Sequence, residues 1–397
     1  MLPRVTCVVA LLLSVSGCDC AGTNLQHVPT FCEANPTACI DAGPPPVIDA
    51  GVPLCTNQGS ITGRVCAPDL ATWLNGATVA LDGTDCNGQP THVETTSAAD
   101  GTFTLPGAPP GDWRIKATLG AFSQETPVTV RAGASTAIPD NQLCVAQKTV
   151  RIAVVTGSGD KIEDLLTSLR LQFTLFRGDS SMWTTEAEPF LADLNALKQY
   201  DLVFIDCAAA KSSGNTIDLG PNAARIQANL RAYVQQGGSV YGSDWALLFS
   251  IAAAPTTINF ATSGGAAINS PFDATVLKGY APQTVTARVD DSGLAQFLGK
   301  STLSITFPRQ AGANSLHWGL MASTSGQVLV SAASVVTCPD PACGSAGPNR
   351  TNVPLAVRVR AGMPGQRGGN VVYTSFHNVA QSGNDVAQVL KYLVLNL

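Results

Sequence analysis

Short runs of alternating apolar and polar residues fill the segment 58–147. Turn sequences such as Asn87-Gly88 and Asp100-Gly101 separate these runs. A period of two predicts strands with one buried face, and short strands at this spacing predict a β-sandwich. The five predicted strands are residues 60–65, 77–81, 101–105, 113–117 and 126–130.

The pattern changes at Thr149, where apolar runs begin to alternate with amphipathic stretches. Strands that alternate with helices predict an α/β domain over 148–397, with a flavodoxin-like, doubly wound and mostly parallel sheet between two helix layers. The section of about 253–326 breaks this rhythm and predicts an irregular, β-rich insertion with strands at 284–289 and 302–307. The other predicted strands are 150–155, 202–206, 239–242 and 370–375, and the predicted helices are 160–171, 223–234 and 385–395.

Residues 1–17 predict a signal peptide, because Arg4 precedes a short apolar run that cannot span a bilayer. The sequence Val15-Ser-Gly-Cys18 resembles a bacterial lipobox. This resemblance implies that Cys18 is the lipidation site and that its acyl chains anchor the protein to a membrane. An ordinary secretory signal cut near Cys18 or Ala21 is the alternative. The expected location is therefore the bacterial cell envelope, on the periplasmic face or at the cell surface.

Residues 18–57 are rich in Pro and Gly and contain the run Pro44-Pro-Pro46. Proline runs favour an extended polyproline II conformation, and the flanking small residues add flexibility. The segment is thus predicted to be a tether between the lipid anchor and the folded domains.

Composition and charge exclude several classes of protein. The chain is 45% hydrophobic and only 13% charged, which is not the composition of a disordered protein. Residues 18–147 hold 4 basic and 12 acidic residues, and residues 148–397 hold 18 basic and 16 acidic ones. Neither part forms the clustered basic surface that nucleic-acid binding requires, so no nucleic-acid partner is expected.

The twelve cysteines are typical of an oxidising compartment. Two local pairs, Cys32 with Cys39 and Cys338 with Cys343, are disulfide candidates in loop-like sequence. Cys66 with Cys86 and Cys55 with Cys144 are candidate disulfides of the β domain, although spacing does not determine connectivity. The sequence lacks paired C-x-x-C spacing and clustered histidines, so no metal site and no cofactor are expected.

Several motifs of the β segment resemble the carboxypeptidase regulatory-like domain, which is a transthyretin-like sandwich. They are Ile61-Thr-Gly-Arg-Val65, Ala99-Asp-Gly-Thr-Phe103 and Pro110-Gly-Asp-Trp113. The resemblance implies an accessory folding or binding module. It does not imply peptidase activity, because the zinc site of the peptidases belongs to a different domain.

Polar residues follow three predicted strands of the α/β segment: Asp206-Cys207, Gly242-Ser-Asp-Trp245 and Ser375-Phe-His-Asn378. Ligands of open α/β sheets bind at these carboxyl ends. Together with Tyr200-Asp-Leu-Val-Phe204 and the stretch 230–238, these motifs resemble the class I glutamine amidotransferase-like superfamily, and especially its trehalose-utilisation-like branch. The resemblance covers most of residues 149–397.

The family pattern places a nucleophilic Cys at the bend after a strand and a His with a nearby acid after a later strand. This chain has Ser243 and Asp244 at the bend, and Val379 stands two residues after His377. Nucleophilic catalysis needs both a nucleophile and an oriented base, so the domain is predicted to be a degenerate amidotransferase. Cys207 follows a different strand and is predicted to be a buried, unreactive thiol.

Two functions follow from these residues. The leading prediction is an envelope-anchored, non-catalytic binding or scaffolding module for a protein or carbohydrate partner, with Ser243, Trp245 and Asn378 as candidate binding residues. Recognition within 253–326 is a variant of this prediction.

The alternative is a hydrolase in which Asp244 orients His377 for proton transfer and Asp206 is a third polar member. In purely structural roles, Asp244 caps the next helix and His377 pairs with a backbone carbonyl. Asp160 is likewise predicted to cap the helix that follows it.

Overall fold

The computed structural model describes most of the chain after the predicted tether. The described residues are 55, 57–179, 181–213, 216–262, 268–308, 317–339, 343–362, 368–379, 381 and 383–397. The predicted signal peptide, Cys18, nearly all of the tether and the candidate pair Cys32/Cys39 lie outside this part of the chain.

The N-terminal domain consists of two β-sheets, as expected for a β-sandwich. Its strands are β1 (Gly59–Arg64), β2 (Thr78–Thr84), β3 (Pro90–Thr96), β4 (Thr102–Ala108), β5 (Gly111–Leu119), β6 (Phe122–Val130) and β7 (Ser135–Ala137). One sheet has the order β4-β1-β7 and the other has the order β3-β2-β5-β6. Alternation along β5 follows the predicted period of two, because Trp113, Ile115 and Ala117 are buried while Arg114 and Lys116 are exposed.

The five strands predicted for this domain are confirmed, whereas β3 and β7 are additional. In β3 no residue is fully buried, and its positions alternate between exposed and half-buried. Its sequence, Pro-Thr-His-Val-Glu-Thr-Thr, therefore lacks the apolar face by which a strand is recognised in a sequence.

The remaining strands belong to the C-terminal α/β domain. They are β8 (Ile152–Thr156), β9 (Thr174–Arg177), β10 (Leu202–Ile205), β11 (Lys211–Ser213), β12 (Thr216–Asp218), β13 (Ser239–Ser243), β14 (Ile258–Asn259), β15 (Lys278–Tyr280), β16 (Gln283–Val289), β17 (Thr302–Phe307), β18 (His317–Gly319), β19 (Ser323–Thr324), β20 (Gln327–Val336), β21 (Asn349–Arg360) and β22 (Asn370–Thr374). The α-helices are α1 (Ile162–Ser168), α2 (Glu188–Leu191), α3 (Leu194–Leu197), α4 (Ala223–Gln235), α5 (Leu247–Ala253), α6 (Ser292–Leu298) and α7 (Asp385–Leu395).

A nine-stranded mixed sheet forms the centre of this domain, in the order β17-β16-β20-β21-β22-β13-β10-β8-β9. Strands β9, β8, β10, β13 and β22 are parallel to one another. Strands β21, β20, β16 and β17 extend the sheet with antiparallel pairs. The prediction of a mostly parallel sheet is therefore wrong for almost half of it.

The predicted strands at 284–289 and 302–307 are confirmed as β16 and β17, but they do not form a separate insertion. They join the central sheet, and its antiparallel part continues beyond residue 326 through β20 and β21. Long antiparallel strands connected without crossover helices interrupt the βαβ pattern from which the sheet was predicted.

Helices pack on both faces of the central sheet. Val154 and Phe204 face one hydrophobic core, which includes residues of α1 and α7. Their neighbours Val155 and Ile205 face a second core, which includes residues of α4 and α5. Because both faces of β8 and β10 are covered, these two strands are nearly continuous apolar runs. The first core also includes the interior of the β-sandwich, so the two domains share buried apolar surface.

Three disulfides lie among the described residues, and the pair Cys338–Cys343 confirms one prediction. The other two are Cys55–Cys86 and Cys66–Cys144, so the predicted pairings of Cys66 with Cys86 and of Cys55 with Cys144 are wrong. The main chain forms a parallel bridge between Cys66 and Cys144, whose Cα atoms are 4.1 Å apart. Disulfides of this kind are typical of extracytoplasmic proteins. Within the described ranges, no helix has the length and apolar character needed to cross a membrane.

Candidate functional site at the strand ends

The carboxyl ends of four adjacent parallel strands meet at one edge of the central sheet. Strands β8, β10, β13 and β22 are followed there by Asp160, Asp206-Cys207, Asp244 and His377, respectively. Because parallel strands end on the same side of a sheet, residues that are up to 218 positions apart in the sequence become neighbours.

Asp244 occupies the sharp bend between β13 and the short 3₁₀ turn Asp244–Ala246 that precedes α5. Its φ angle of +43° lies in the left-handed region, which costs a residue other than Gly about 1–3 kcal/mol. Two contacts hold it there. The Gly319 N–H donates to Asp244 Oδ1 at 2.7 Å, and the Tyr373 hydroxyl donates to the Asp244 carbonyl at 2.9 Å. The prediction that the Asp244 carboxylate caps the next helix is therefore wrong.

Three functional side chains converge on the other carboxylate oxygen. The Cys207 thiol donates to Asp244 Oδ2 at 3.5 Å, and His377 Nε2 lies 3.8 Å from the same oxygen. The sulfur, carboxylate oxygen and imidazole nitrogen all lie within 4.8 Å of one another. Asp244 and His377 lie close together, as predicted, and Cys207, which was predicted to be a buried thiol, is buried and lies beside them. We call these three residues the Cys-Asp-His cluster.

The Cys-Asp-His cluster is buried. The exposed fractions are 0% for Cys207, 3% for Asp244 and 6% for His377. Burial raises the pKa of the Cys207 thiol well above its usual value, and the neighbouring Asp244 charge raises it further. Burial also raises the pKa of Asp244 to about 6, although the His377 charge and the Gly319 N–H oppose this shift. Near neutral pH, Cys207 is thus a neutral thiol beside a mostly ionised carboxylate.

Asp160 connects three of the strand ends. Its Oδ2 accepts a hydrogen bond from the Ser243 hydroxyl at 2.6 Å. Its Oδ1 accepts from the N–H groups of Lys161 at 2.8 Å and Asn378 at 3.3 Å. The prediction that Asp160 caps the next helix is wrong, because α1 begins without a side-chain cap. Ser243 and Asn378, two of the predicted binding residues, are engaged in these structural contacts.

The interactions of Asp206 do not include the residues of the Cys-Asp-His cluster. Its carboxyl group is fully buried and has no hydrogen-bond partner within the described ranges. Burial raises the pKa of Asp206 well above its usual value, and the nearby Asp160 and Glu163 charges raise it further. Asp206 does not form the predicted third member of an Asp244–His377 pair.

An aromatic group lies beside the Cys-Asp-His cluster. The ring of Trp245 contacts those of Phe272 and His317, with centroid distances of 5.0 and 5.6 Å. Burial lowers the pKa of His317 to about 4, and the Lys278 charge contributes to this decrease. Of these residues, the sequence pattern indicates Trp245 alone. His317 and Gly319 are not predictable from it, because contacts across about 75 residues leave no local spacing signal.

Neither the Cys-Asp-His cluster nor the predicted binding residues line the open cleft that the described residues form elsewhere in the domain. This cleft, of about 780 Å³, lies at the opposite edge of the central sheet and is lined by Asp201, Ser239, Arg358 and Asn370 among others. Asn370 and Ser239 are the first residues of β22 and β13. In Arg358, Nε and one terminal nitrogen are buried and have no hydrogen-bond partner in the described part of the chain.

Comparisons with known proteins agree with part of the sequence analysis. Residues 60–143 match the family model of the carboxypeptidase regulatory-like domain, so the chain contains such a domain. No curated protein matches the chain. Among solved structures it is similar to a glutamine amidotransferase from Thermotoga maritima, at 10% identity over 58% of this chain and 76% of that chain, with a TM-score of 0.31. It is also similar to BcpA, the major pilin subunit of Bacillus cereus, at 19% identity over 22% of this chain, with a TM-score of 0.16. The chain covers 30% of that pilin.

Proposed function

We propose that this protein is an envelope lipoprotein that binds a partner without catalysis and that its C-terminal domain is a degenerate, amidotransferase-like domain. The order β9-β8-β10-β13-β22 supports a doubly wound, flavodoxin-like origin for the parallel part of the sheet. The lipobox-like sequence ending at Cys18 supports the anchor.

The proposal that the domain lacks catalytic activity rests on the burial of the Cys-Asp-His cluster. A nucleophile must reach a substrate atom, yet Cys207 is 0% exposed. It must also be activated, yet its thiol donates a hydrogen bond to a carboxylate and its pKa is raised. The imidazole of His377 faces the carboxylate of Asp244. In a catalytic triad the imidazole lies between the nucleophile and the orienting acid, and these three groups are not arranged in that order.

The open cleft at the opposite edge of the sheet is the proposed binding site. Asp201, Arg358 and Asn370 offer hydrogen-bond donors and acceptors along its wall. A hydroxyl-rich or acidic ligand, such as a carbohydrate chain of the envelope, fits this lining better than an apolar one.

Two experiments on the intact protein test this function. Purified protein should hydrolyse neither glutamine nor simple esters, and turnover that disappears in His377→Ala would establish the hydrolase instead. Binding to an array of envelope carbohydrates should be lost in Arg358→Ala and kept in Arg114→Ala, which changes an exposed arginine of the sandwich. Equal binding by both variants would exclude the cleft as the site.

The anchor is tested separately. Cys18→Ser should abolish labelling by a radioactive fatty acid and release the protein from membranes. Labelling that persists in this variant would contradict lipidation at Cys18.

A hydrolase that uses Asp244 and His377 is the second candidate function. The left-handed φ of Asp244 favours it, because strained residues at strand-to-helix bends are common in active sites. Under this function Asp244 would orient His377, and a conformational change would have to expose both side chains to the substrate.

A further inference from the structure

The Cys-Asp-His cluster combines three kinds of metal-binding atom around one buried point. A thiol sulfur, a carboxylate oxygen and an imidazole nitrogen lie within 4.8 Å of one another and come from three different strand ends. Thiolate, imidazole and carboxylate are the ligands that Zn²⁺ uses in proteins, whereas Mg²⁺ and Ca²⁺ prefer oxygen ligands alone. The geometry points to a transition-metal site, and we propose that this site binds one Zn²⁺ ion.

The distances agree with tetrahedral coordination. With Zn–S near 2.3 Å and Zn–O near 2.0 Å, tetrahedral geometry separates the sulfur and oxygen ligands by about 3.5 Å. The distance from Cys207 Sγ to Asp244 Oδ2 is 3.5 Å. The same geometry separates the nitrogen and oxygen ligands by about 3.3 Å. His377 Nε2 is 3.8 Å from Asp244 Oδ2, so the imidazole has to move towards the carboxylate when the ion binds.

The groups around the Cys-Asp-His cluster leave the right atoms available. The Gly319 N–H binds Asp244 Oδ1, which holds the carboxylate so that Oδ2 faces the sulfur and the imidazole. Ligating carboxylates are usually oriented in this way by hydrogen bonds from a surrounding shell.

Charge balance also favours a divalent ion. When Zn²⁺ binds, it replaces the thiol proton of Cys207, which leaves to solvent, and it forms one bond each to sulfur, oxygen and nitrogen. The charges of a thiolate, a carboxylate and a neutral imidazole then sum with that of the ion to zero. A neutral assembly is the form that a buried site tolerates best. Three protein ligands leave a fourth tetrahedral position for water.

This inference does not depend on the proposed function, because a buried ion that stabilises the strand ends needs no substrate. It also accounts for why sequence spacing predicted no metal site. Cys207, Asp244 and His377 are separated by 37 and 133 residues, and only the parallel sheet brings them together.

Metal titration of the purified full-length chain tests the proposal. After chelation and removal of the chelator, the protein should bind one equivalent of Zn²⁺. Co²⁺ in its place should give a thiolate-to-cobalt charge-transfer band. Cys207→Ser should remove this band, and His377→Gln should weaken Zn²⁺ binding by more than about 100-fold. His317→Gln is the matched control, since His317 is 7% exposed and lies outside the cluster. It should bind Zn²⁺ as the wild type does.

A further variant keeps all three ligands and moves only the sulfur. A Cβ atom on Gly159 would lie 2.7 Å from Cys207 Sγ, so Gly159→Ala should weaken Zn²⁺ binding at least tenfold. Gly344→Ala is its control, because a Cβ atom there meets nothing within 4 Å.

Three results would overturn the proposal: a folded wild type that binds no Zn²⁺, a charge-transfer band that persists in Cys207→Ser, or equal loss of binding in His317→Gln. Wild-type thermal stabilisation by Zn²⁺ provides an answer even where a variant does not fold. The melting temperature should rise with Zn²⁺ concentration, and a constant value would also contradict the site.

Discussion

His317 is an ionisable residue in an environment that does not accommodate its charge. It is buried against Trp245 and Phe272, and neither ring nitrogen has a hydrogen-bond partner among the residues that the structure describes. Lys278 adds a positive charge nearby. The imidazole is therefore neutral in the folded protein at every pH well above its lowered pKa of about 4.

This pKa shift predicts acid sensitivity. Above about pH 6.5 His317 is neutral in both states, so it contributes no pH dependence. As the pH falls towards 4, the unfolded chain binds a proton that the folded protein does not, and unfolding becomes more favourable. The free energy of unfolding should decrease by about 2 kcal/mol between pH 7 and pH 5 through this residue. Urea unfolding of wild type and His317→Phe at both pH values measures the difference.

His317→Phe should lose that part of the pH dependence. A variant whose stability falls with acid as steeply as that of the wild type would show that His317 is protonated in the folded state. The comparison removes contributions from other titrating groups, such as Asp206, because both proteins contain them.

At the residue scale, the sequence predicted which residues lie at the strand ends better than it predicted which of them contact one another. Asp244 and His377 were found because the carboxyl ends of parallel strands converge. The contact of Cys207 with Asp244 was not found, because a strand-end residue can face either side of the sheet and the sequence does not reveal which. The Gly319 N–H that orients Asp244 is a backbone group, and no side-chain pattern indicates it.

At the scale of elements, the disulfides of the two domains close loops of very different length. Cys66 and Cys144 are 78 residues apart, whereas Cys338 and Cys343 are 5 apart. A crosslink that closes a longer loop removes more conformational entropy from the unfolded chain.

Removing these disulfides should therefore have unequal effects. The double variant Cys66→Ala/Cys144→Ala should lose about 4 kcal/mol of unfolding free energy, and Cys338→Ala/Cys343→Ala should lose about 2 kcal/mol. Denaturant unfolding under non-reducing conditions measures both values, with the short-loop variant as the matched control. A larger loss for the short loop would contradict the entropic explanation.

The strands were predictable from the sequence where all their residues are buried or where buried and exposed residues alternate. Strands β8 and β10 are nearly continuous apolar runs, and β5 alternates between buried and exposed residues. The antiparallel half of the sheet was not predicted, because β20 and β21 include consecutive buried residues and exposed ends that fit neither a parallel nor an alternating pattern. Pairing partners depend on tertiary packing, which the local pattern does not determine.

At the scale of the molecule, the sandwich and the α/β domain pack as neighbours with a shared interior. Ile61 and Leu81 of the sandwich belong to the same hydrophobic core as Leu390 of α7. Asn75, which is buried, donates a hydrogen bond from Nδ2 to the Gly293 carbonyl at 2.8 Å, and Lys391 lies 3.5 Å from the Asp69 carboxylate.

A shared interior predicts cooperative unfolding. Calorimetry of the intact protein should show one transition that includes both domains, because neither can unfold without exposing apolar surface of the other. Asn75→Ala removes the hydrogen bond to the half-buried Gly293 and should lower the unfolding free energy by about 0.5–1.5 kcal/mol. Asn87→Ala, on an exposed turn, is the control and should change it by less than about 0.5 kcal/mol. Two resolved transitions in the wild type would contradict the shared core.

The hydrogen bonds of Asp160 have a consequence for how the buried end of the sheet is reached. A single carboxylate accepts from its own loop, from Ser243 at the end of β13 and from Asn378 after β22. Outward movement of any of these segments away from Asp160 breaks at least one of the three hydrogen bonds. A small molecule that enters this end of the domain by parting the strand ends must therefore compete with their amide and hydroxyl groups for the same acidic side chain.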